Sequence, residues 1–228
     1  MSFYIGLSIL SNNEKADKRR QAGRRILSVF EGRDIEESDI GKEDQGRPFF
    51  KQRHADFNIS HSGSLLAVSY IKRGDTRTGC DIEFIRTRCR AENIAKNYFS
   101  SAEYGYIFSS GTSDETRFFE IWTLKECYLK LRGLSVFDMK TSPSFIKEDS
   151  AFSQEKYFFS FGETVNTEIS FYLYRISNSG GQYMMAVAIE GEDEEPEIKM
   201  FSQISLDCKR IVKIKAAPNP EETVMPKR

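Results

Sequence analysis

The stretch TGCDIEFIR, residues 78–86, limits the possible folds because it places two carboxylates inside an apolar run. In a β-strand, Asp81 and Glu83 point to the same face, while Cys80 points to the opposite face and is expected to carry no chemistry. Two unit charges about 4 Å apart repel by about 4 kcal/mol at an effective dielectric constant of about 20. A fold that half-buries this strand therefore has to offset the repulsion with a proton, with basic side chains or with a cation.

Composition and charge exclude several classes of protein. The chain has 228 residues, 39% of them apolar, which is enough to build the core of one domain or of two small ones. A net charge of −1 does not indicate a polyanion-binding surface, so no nucleic-acid partner is expected. No run of about 18 apolar residues is present and the N-terminus lacks the basic region of a signal peptide, so no membrane contact is expected. The four cysteines form no C-x-x-C pair, which favours a reducing, cytoplasmic location.

The order of the predicted elements indicates an α+β fold built from two similar halves. Each half is expected to hold a small antiparallel sheet packed with helices, with pseudo-twofold symmetry between the halves, although no residue-level repeat is visible. The N-terminal half spans residues 1–75, the C-terminal half with the acids spans 76–190, and 191–228 form a tail of unknown role. The predicted strands cover 3–9, 57–60, 65–72, 80–85, 157–161, 169–176 and 183–189, the predicted helices cover 13–30, 91–108 and 114–132, and 198–215 forms one more strand or helix.

The helix predicted over DETRFFEIWTLKECYLKLR is apolar on nearly all sides. Asp114 is expected to cap its N-terminus, and Gly133 is expected to follow its C-terminus. A helix of this kind is buried, so two charged residues on it are expected in a closed environment next to an indole. The alternative is an ordinary exposed Glu–Lys pair worth a few tenths of a kcal/mol. The stripe that holds the charged residues consists of Phe118, Trp122, Glu126 and Lys130.

Basic residues outside this helix form a second group of candidates. Arg19 lies at the centre of the apolar stripe of the first helix, and an inward arginine needs a carboxylate or a phosphate as its partner. His61, in FNISHSG, lies where a strand ends at a Ser/Gly turn, which suits an anion or nucleotide contact. Arg47, in GRPFF, lies in a turn that leads into an extended segment. The alternatives are a turn histidine without function and an exposed loop arginine.

Five motifs in the same order give the chain a resemblance to a known family. They are GRP, FNISHSG, GCDIE, FSSAEY and WTLKECYLKLRGLS, and they span residues 46–135, with a looser match back to Arg19. The set resembles the 4′-phosphopantetheinyl transferases, in particular the single-chain, two-halved class. The most specific parts are G-x-D-I-E and W-T-x-K-E-x-x-x-K.

The resemblance implies an enzyme that binds coenzyme A and Mg²⁺ in a cleft between two α+β halves. Such an enzyme moves the phosphopantetheine arm onto a serine of an apo acyl or peptidyl carrier protein and releases 3′,5′-ADP. A divalent cation would also offset the repulsion between the acids of the strand. By position, the family's metal-binding acids match Asp81, Glu83 and Glu126, and its coenzyme A contacts match Arg19, Arg47, Ser60, His61 and Lys130.

The resemblance leaves the catalytic base open. Glu126 is expected to accept the serine proton directly or through a bound water, and Glu83 acting through a metal-bound water is the rival. Lys130 is expected to offset phosphate charge and to orient the diphosphate. Because both halves of the site are in one chain, a monomer is expected.

Two other functions compete with this one. A carrier-protein or coenzyme A binding module without catalysis would be expected to have lost the acids or the lysine, and all of them are present. A different Mg²⁺-dependent phosphodiester or nucleotidyl enzyme could use the same acids without a carrier protein. The sequence does not identify the carrier protein or the pathway.

Overall fold

The computed structural model describes residues 2–11, 15–86, 90–109, 115–148, 156–160, 169–191, 195–201 and 207–216. Two short 3₁₀ helices, Glu37–Asp39 and Val136–Thr141, accompany the longer elements. In chain order these longer elements are β1 (Phe3–Ile9), α1 (Ala16–Glu31), β2 (Ile40–Lys42), β3 (Pro48–Phe50), β4 (Asp56–Ser62), β5 (Leu65–Ile71), β6 (Thr78–Phe84), α2 (Ala91–Tyr98), α3 (Ser101–Phe108), α4 (Glu115–Arg132), β7 (Ser144–Glu148), β8 (Lys156–Ser160), β9 (Ile169–Asn178), β10 (Gly181–Glu190), β11 (Glu197–Met200) and β12 (Asp207–Ala216).

Two four-stranded sheets organise the fold. The first sheet has the order β11-β1-β5-β4 and the second has the order β12-β9-β10-β6. Neighbouring strands are antiparallel, except that β11 runs parallel to β1. The predicted α+β class with small antiparallel sheets and helices is confirmed, and the pseudo-twofold relation between the halves stays a prediction. Strands from the predicted tail complete both sheets, because β11 pairs with β1 and β12 pairs with β9.

Strand alternation divides the apolar residues that the structure describes among three cores. Alternate residues of each sheet, such as Ile5 and Ile82, fill a core between the two sheets. The opposite face of the first sheet packs against α1 through residues such as Ile26, and that of the second sheet packs against α4 through residues such as Leu124. Strand β5 is buried along its whole length because it has a core on each side, which explains its nearly continuous apolar sequence.

The alternation in β6 is the one predicted. Cys80 is buried in the core between the sheets, whereas Asp81 and Glu83 project toward α4. Burial raises the pKa of the Cys80 thiol to about 12, so the thiol stays protonated. Helix α4 is buried on most sides, and Gly133 follows it with φ 69°, the left-handed conformation that glycine favours. The proposed N-cap, Asp114, lies outside the described residues.

One predicted helix is interrupted. Residues 91–108 form α2 and α3 rather than a continuous helix, because Ser100 caps the second one. The Ser100 hydroxyl accepts a hydrogen bond from the Glu103 backbone N–H (3.2 Å), and the Glu103 carboxylate accepts one from the Ser100 N–H (2.7 Å). This reciprocal S-x-x-E capping box is visible in the sequence and marks the helix start.

Sequence reasoning also missed β2 and β7 as strands. No described helix is both long and apolar enough to cross a membrane.

Side chains join the two sheets at β4 and β6, which are the edge strands of different sheets. At three positions a polar side chain of β4 accepts a hydrogen bond from a backbone N–H of β6, always 22 residues further along the chain. The constant separation means that the two strands run side by side in the same direction. The acceptor–donor pairs are Asp56 with Thr78 (2.8 Å), Ser60 with Ile82 (3.3 Å) and Ser62 with Phe84 (3.0 Å).

Candidate active site

Three of the predicted site residues meet where β4, β6 and α4 come together. Asp81 is 3% exposed, and its Oδ1 accepts hydrogen bonds from Lys130 Nζ (2.5 Å) and Ser60 Oγ (2.9 Å). Lys130 Nζ also donates to Ser60 Oγ (2.8 Å). These contacts link residues 60, 81 and 130 into one hydrogen-bonded group.

Glu83 lies two residues along β6, on the same face, and is half-buried. Its Oε2 accepts a hydrogen bond from Ser62 Oγ (2.9 Å), and its Oε1 accepts one from the indole N–H of Trp122 (3.1 Å). The sequence predicted the indole beside the charged residues of its own helix, whereas the structure brings it to Glu83. Neither Ser62 nor Trp122 is among the predicted site residues, although they lie inside the motifs FNISHSG and WTLKE.

Burial and charge act in opposite directions on the central ion pair. Burial raises the pKa of Asp81 above its ordinary value, and the Lys130 ammonium opposes this rise without cancelling it. Burial lowers the pKa of Lys130, but the Asp81 carboxylate outweighs this effect, so the lysine pKa lies above its ordinary value. Lys130 therefore stays charged. Asp81 is more deeply buried, and the lysine offsets only part of the effect of burial on the pKa of this carboxyl.

The donor set fits a divalent cation. Asp81 Oδ2 is buried and has no hydrogen-bond partner among the described residues, and Glu83 shares its face. Mg²⁺ is bound by one or two carboxylates that are supplemented by waters and by phosphate oxygens of the substrate. Within the described residues, however, no three His, Cys, Asp or Glu side chains lie close enough together to hold a metal ion by themselves. A third ligand from Glu126 therefore stays a prediction.

Glu126 lies one helical turn before Lys130 and is half-buried. Its charge contributes, after that of Asp81, to the raised pKa of Lys130. Lys130 pairs across the structure with Asp81, and its side chain is 29% exposed. The alternative of an ordinary exposed Glu–Lys pair is wrong for Lys130, because its carboxylate partner lies on β6.

Two other predicted residues line a separate cavity of about 520 Å³. Arg19 of α1 and His61 of β4 face it, Arg20, Arg24 and Lys42 add further positive charge, and Glu37, 4.0 Å from Arg24, adds one carboxylate. Because side chains alternate along β4, His61 points to the cavity while the neighbouring residue 60 points to β6 and the acids. The cavity and the acid site therefore lie on opposite faces of one strand.

Arg47 is 5% exposed, so the alternative of an exposed loop arginine is wrong. Its guanidinium donates two hydrogen bonds to the Asp56 carboxylate (3.0 and 2.6 Å). It also donates to the backbone carbonyls of Lys130 and Thr78 (2.9 Å each). Arg47 therefore ties the end of α4 to the start of β6, and its contact with coenzyme A stays a prediction.

Comparison with known proteins shows that parts of the chain are similar in sequence to one family of transferases. Residues 77–188 match the family model of the 4′-phosphopantetheinyl transferase superfamily. This segment contains the acids and Lys130, whereas Arg19, Arg47, Ser60 and His61 precede it.

Several curated proteins are similar to parts of the chain. The 4′-phosphopantetheinyl transferase HetI of Nostoc sp. is 33% identical over 117 residues, which cover 48% of each chain. AcpT of Salmonella typhimurium is 33% identical over 113 residues, 49% of this chain and 58% of AcpT. Sfp of Bacillus subtilis is 31% identical over 103 residues, 43% of this chain and 44% of Sfp. The chain thus spans about half the length of the curated relatives it matches.

Proposed function

Since residues 77–188 match the family model of the 4′-phosphopantetheinyl transferase superfamily, we propose that the chain belongs to this superfamily and transfers the phosphopantetheine arm of coenzyme A to a serine of an apo acyl or peptidyl carrier protein. One observation carries the proposal. The buried Asp81 has one oxygen on Lys130 and a second oxygen without a partner among the described residues, and it lies beside Glu83. A carboxylate arranged in this way suits a site that takes up a cation together with phosphate oxygens.

The transfer breaks the phosphoanhydride bond of coenzyme A and forms a phosphodiester bond to the carrier serine. The serine hydroxyl oxygen of the carrier attacks the phosphorus that bears the pantetheine arm, the bond to the second phosphate breaks, and 3′,5′-ADP leaves. The proton of the hydroxyl passes to a carboxylate, either Glu126, directly or through a water, or Glu83 through a water. Lys130 offsets phosphate charge and orients the diphosphate, a role supported by its position between Asp81 and Ser60.

Asp81 and Glu83 would hold Mg²⁺, with Glu126 as the proposed third acid. The ion supplies Lewis-acid stabilisation of the charge that develops on the diphosphate. The nucleotide end of coenzyme A is proposed to enter the 520 Å³ cavity, where Arg19 and His61 meet its phosphate and adenine. The positive charge around this cavity supports the assignment, since a phosphate needs cationic donors.

The mass of a carrier protein tests the transfer. The purified chain is incubated with Mg²⁺, coenzyme A and an apo acyl or peptidyl carrier protein, and the carrier is then weighed. A gain of about 340 Da, the mass of one covalently added arm, is expected, and EDTA should abolish it. No gain with several carriers, while coenzyme A still binds, would favour a binding module. Release of 3′,5′-ADP without any carrier would favour a different phosphodiester enzyme.

His61→Ala should raise the KM for coenzyme A about tenfold and leave kcat nearly unchanged. A hydrogen bond to a charged group contributes about 1.5–3 kcal/mol, and about 1.4 kcal/mol corresponds to a factor of ten in binding. The other histidine of the chain provides the control. His54 contacts the Glu31 carboxylate (2.9 Å), so His54→Ala should leave this KM unchanged. An effect of His61→Ala on kcat alone would contradict the assignment.

A further inference from the structure

The two oxygens of the Glu83 carboxylate are each held by an uncharged donor from a different element. Ser62, the last residue of β4, donates its hydroxyl proton to Oε2 (2.9 Å). Trp122, in the middle of α4, donates its indole N–H to Oε1 (3.1 Å). The carboxylate on β6 is thus connected to the opposite sheet on one side and to the helix on the other.

Both donors are fixed by contacts of their own. Ser62 Oγ accepts a hydrogen bond from the Phe84 backbone N–H (3.0 Å), which directs its own proton toward Glu83. The Trp122 ring stacks on Phe118, with centroids 6.0 Å apart and an interplanar angle of 16°, and lies 6.5 Å from the Phe99 ring. The positions of the hydroxyl and the indole N–H are therefore set by the protein fold before any ligand arrives.

This arrangement differs from that of the neighbouring acid. Asp81 is held by the ammonium group of Lys130, a cation that neutralises part of its charge. Ser62 and Trp122 are neutral donors, so these two hydrogen bonds orient Glu83 without themselves adding positive charge. Hydrogen bonds of this kind orient the ligands of metal sites and adjust how tightly they bind.

We propose that Ser62 and Trp122 are positioning residues that hold the Glu83 carboxylate in the orientation needed for a divalent cation and thereby set the affinity of the site for that cation. The inference rests on the proposed function, because it takes Glu83 to be a metal ligand. Both residues act through Glu83 and are not required to touch the substrate. Removing either donor lets the carboxylate rotate, so that the cation has to order it again on binding.

Binding of Mn²⁺ to the full-length protein tests this directly. The free Mn²⁺ signal is followed by electron paramagnetic resonance, with neither coenzyme A nor carrier protein present. Ser62→Ala and Trp122→Phe should each raise the Kd for Mn²⁺ by about 10- to 100-fold, the usual cost of losing a group that orients a metal ligand. Phenylalanine keeps an aromatic ring that can pack on Phe118 and removes the N–H donor.

Two matched variants provide the controls. Ser64 lies in the same turn, and its hydroxyl contacts the Tyr183 hydroxyl (3.0 Å), so Ser64→Ala should leave the Mn²⁺ affinity unchanged. Ser62→Thr retains a hydroxyl and should restore most of the affinity that Ser62→Ala loses. An unchanged Kd in either donor variant, an equal weakening in Ser64→Ala, or no Mn²⁺ binding by the parent protein overturns the proposal.

The indole itself provides a second measurement. Trp122 is the only tryptophan of the chain, so the intrinsic tryptophan fluorescence reports on the group that contacts Glu83. Titration with Mg²⁺ should change this emission in the parent protein, and the midpoint should move to higher Mg²⁺ in Ser62→Ala by the factor found with Mn²⁺. If Ser62→Ala shifts the Mg²⁺ midpoint and the Mn²⁺ Kd by different factors, the two ions do not bind at a common site. If the carrier mass does not change while these metal affinities follow the expected order, the transfer reaction alone is wrong and the positioning role stands.

Discussion

Asp81→Asn should lower the rate of phosphopantetheine transfer by about 10³-fold in Mg²⁺ while the fold is retained. A metal ion supplies several kcal/mol of stabilisation to the transition state, and each factor of ten in rate corresponds to about 1.4 kcal/mol. Asparagine keeps the shape of the side chain and can still accept a hydrogen bond from Ser60 or Lys130. It removes the negative charge from the buried oxygen that has no partner among the described residues.

The rate is measured by the carrier-mass assay, and retention of the fold by circular dichroism. Asp75→Asn is the matched control, because Asp75 pairs with Arg73 and its side chain is 69% exposed. This control should transfer at the parental rate. Full activity of Asp81→Asn in Mg²⁺ would remove Asp81 from the metal site.

Arg47→Ala should destabilise the protein by about 3–5 kcal/mol, the usual cost of leaving one partner of a buried ion pair without its counterpart. The side chains of Arg47 and Asp56 are 3% and 10% exposed, so water compensates little for the loss. In a chain of this size such a loss lowers the melting temperature by about 10 °C. The change in stability is measured by thermal or urea unfolding.

Arg73→Ala is the control for this variant. The Arg73–Asp75 pair is close, at 2.6 Å, but it lies in solvent, where an ion pair contributes about 0–1 kcal/mol. Adding Asp56→Asn to Arg47→Ala should recover part of the stability, because the uncompensated buried charge is removed. A stability change for Arg47→Ala no larger than that for Arg73→Ala would contradict a structural role.

The strands and helices that form the site were largely predictable, because their signals are local. The alternation in residues 78–86 assigned Cys80 and the two acids to opposite faces, and the observed strand has this arrangement. The apolar surface of α4 predicted a buried helix, which is observed. The split between α2 and α3 was missed although the capping box is visible in the sequence, since the apolar pattern alone suggested a continuous helix.

The partners of the site residues could not be predicted in the same way. Lys130 was expected beside Glu126, four residues earlier on its own helix, whereas its carboxylate partner is Asp81, 49 residues away in the chain. Arg47 was read as an exposed loop residue. Nothing near it in sequence indicates that backbone carbonyls of α4 and β6 accept hydrogen bonds from it. Ser62 and Trp122 were not assigned to Glu83 for the same reason.

By itself, the sequence determined which residues share a face of a strand or helix, and the order of its motifs indicated the family. Both properties depend on residues that are close together along the chain. Only the tertiary structure decided that neutral donors hold Glu83 while Lys130 holds Asp81, and that His61 faces a cavity separate from the acids. These contacts depend on how the two sheets meet at β4 and β6, where side chains of β4 accept hydrogen bonds from backbone N–H groups 22 residues further along the chain.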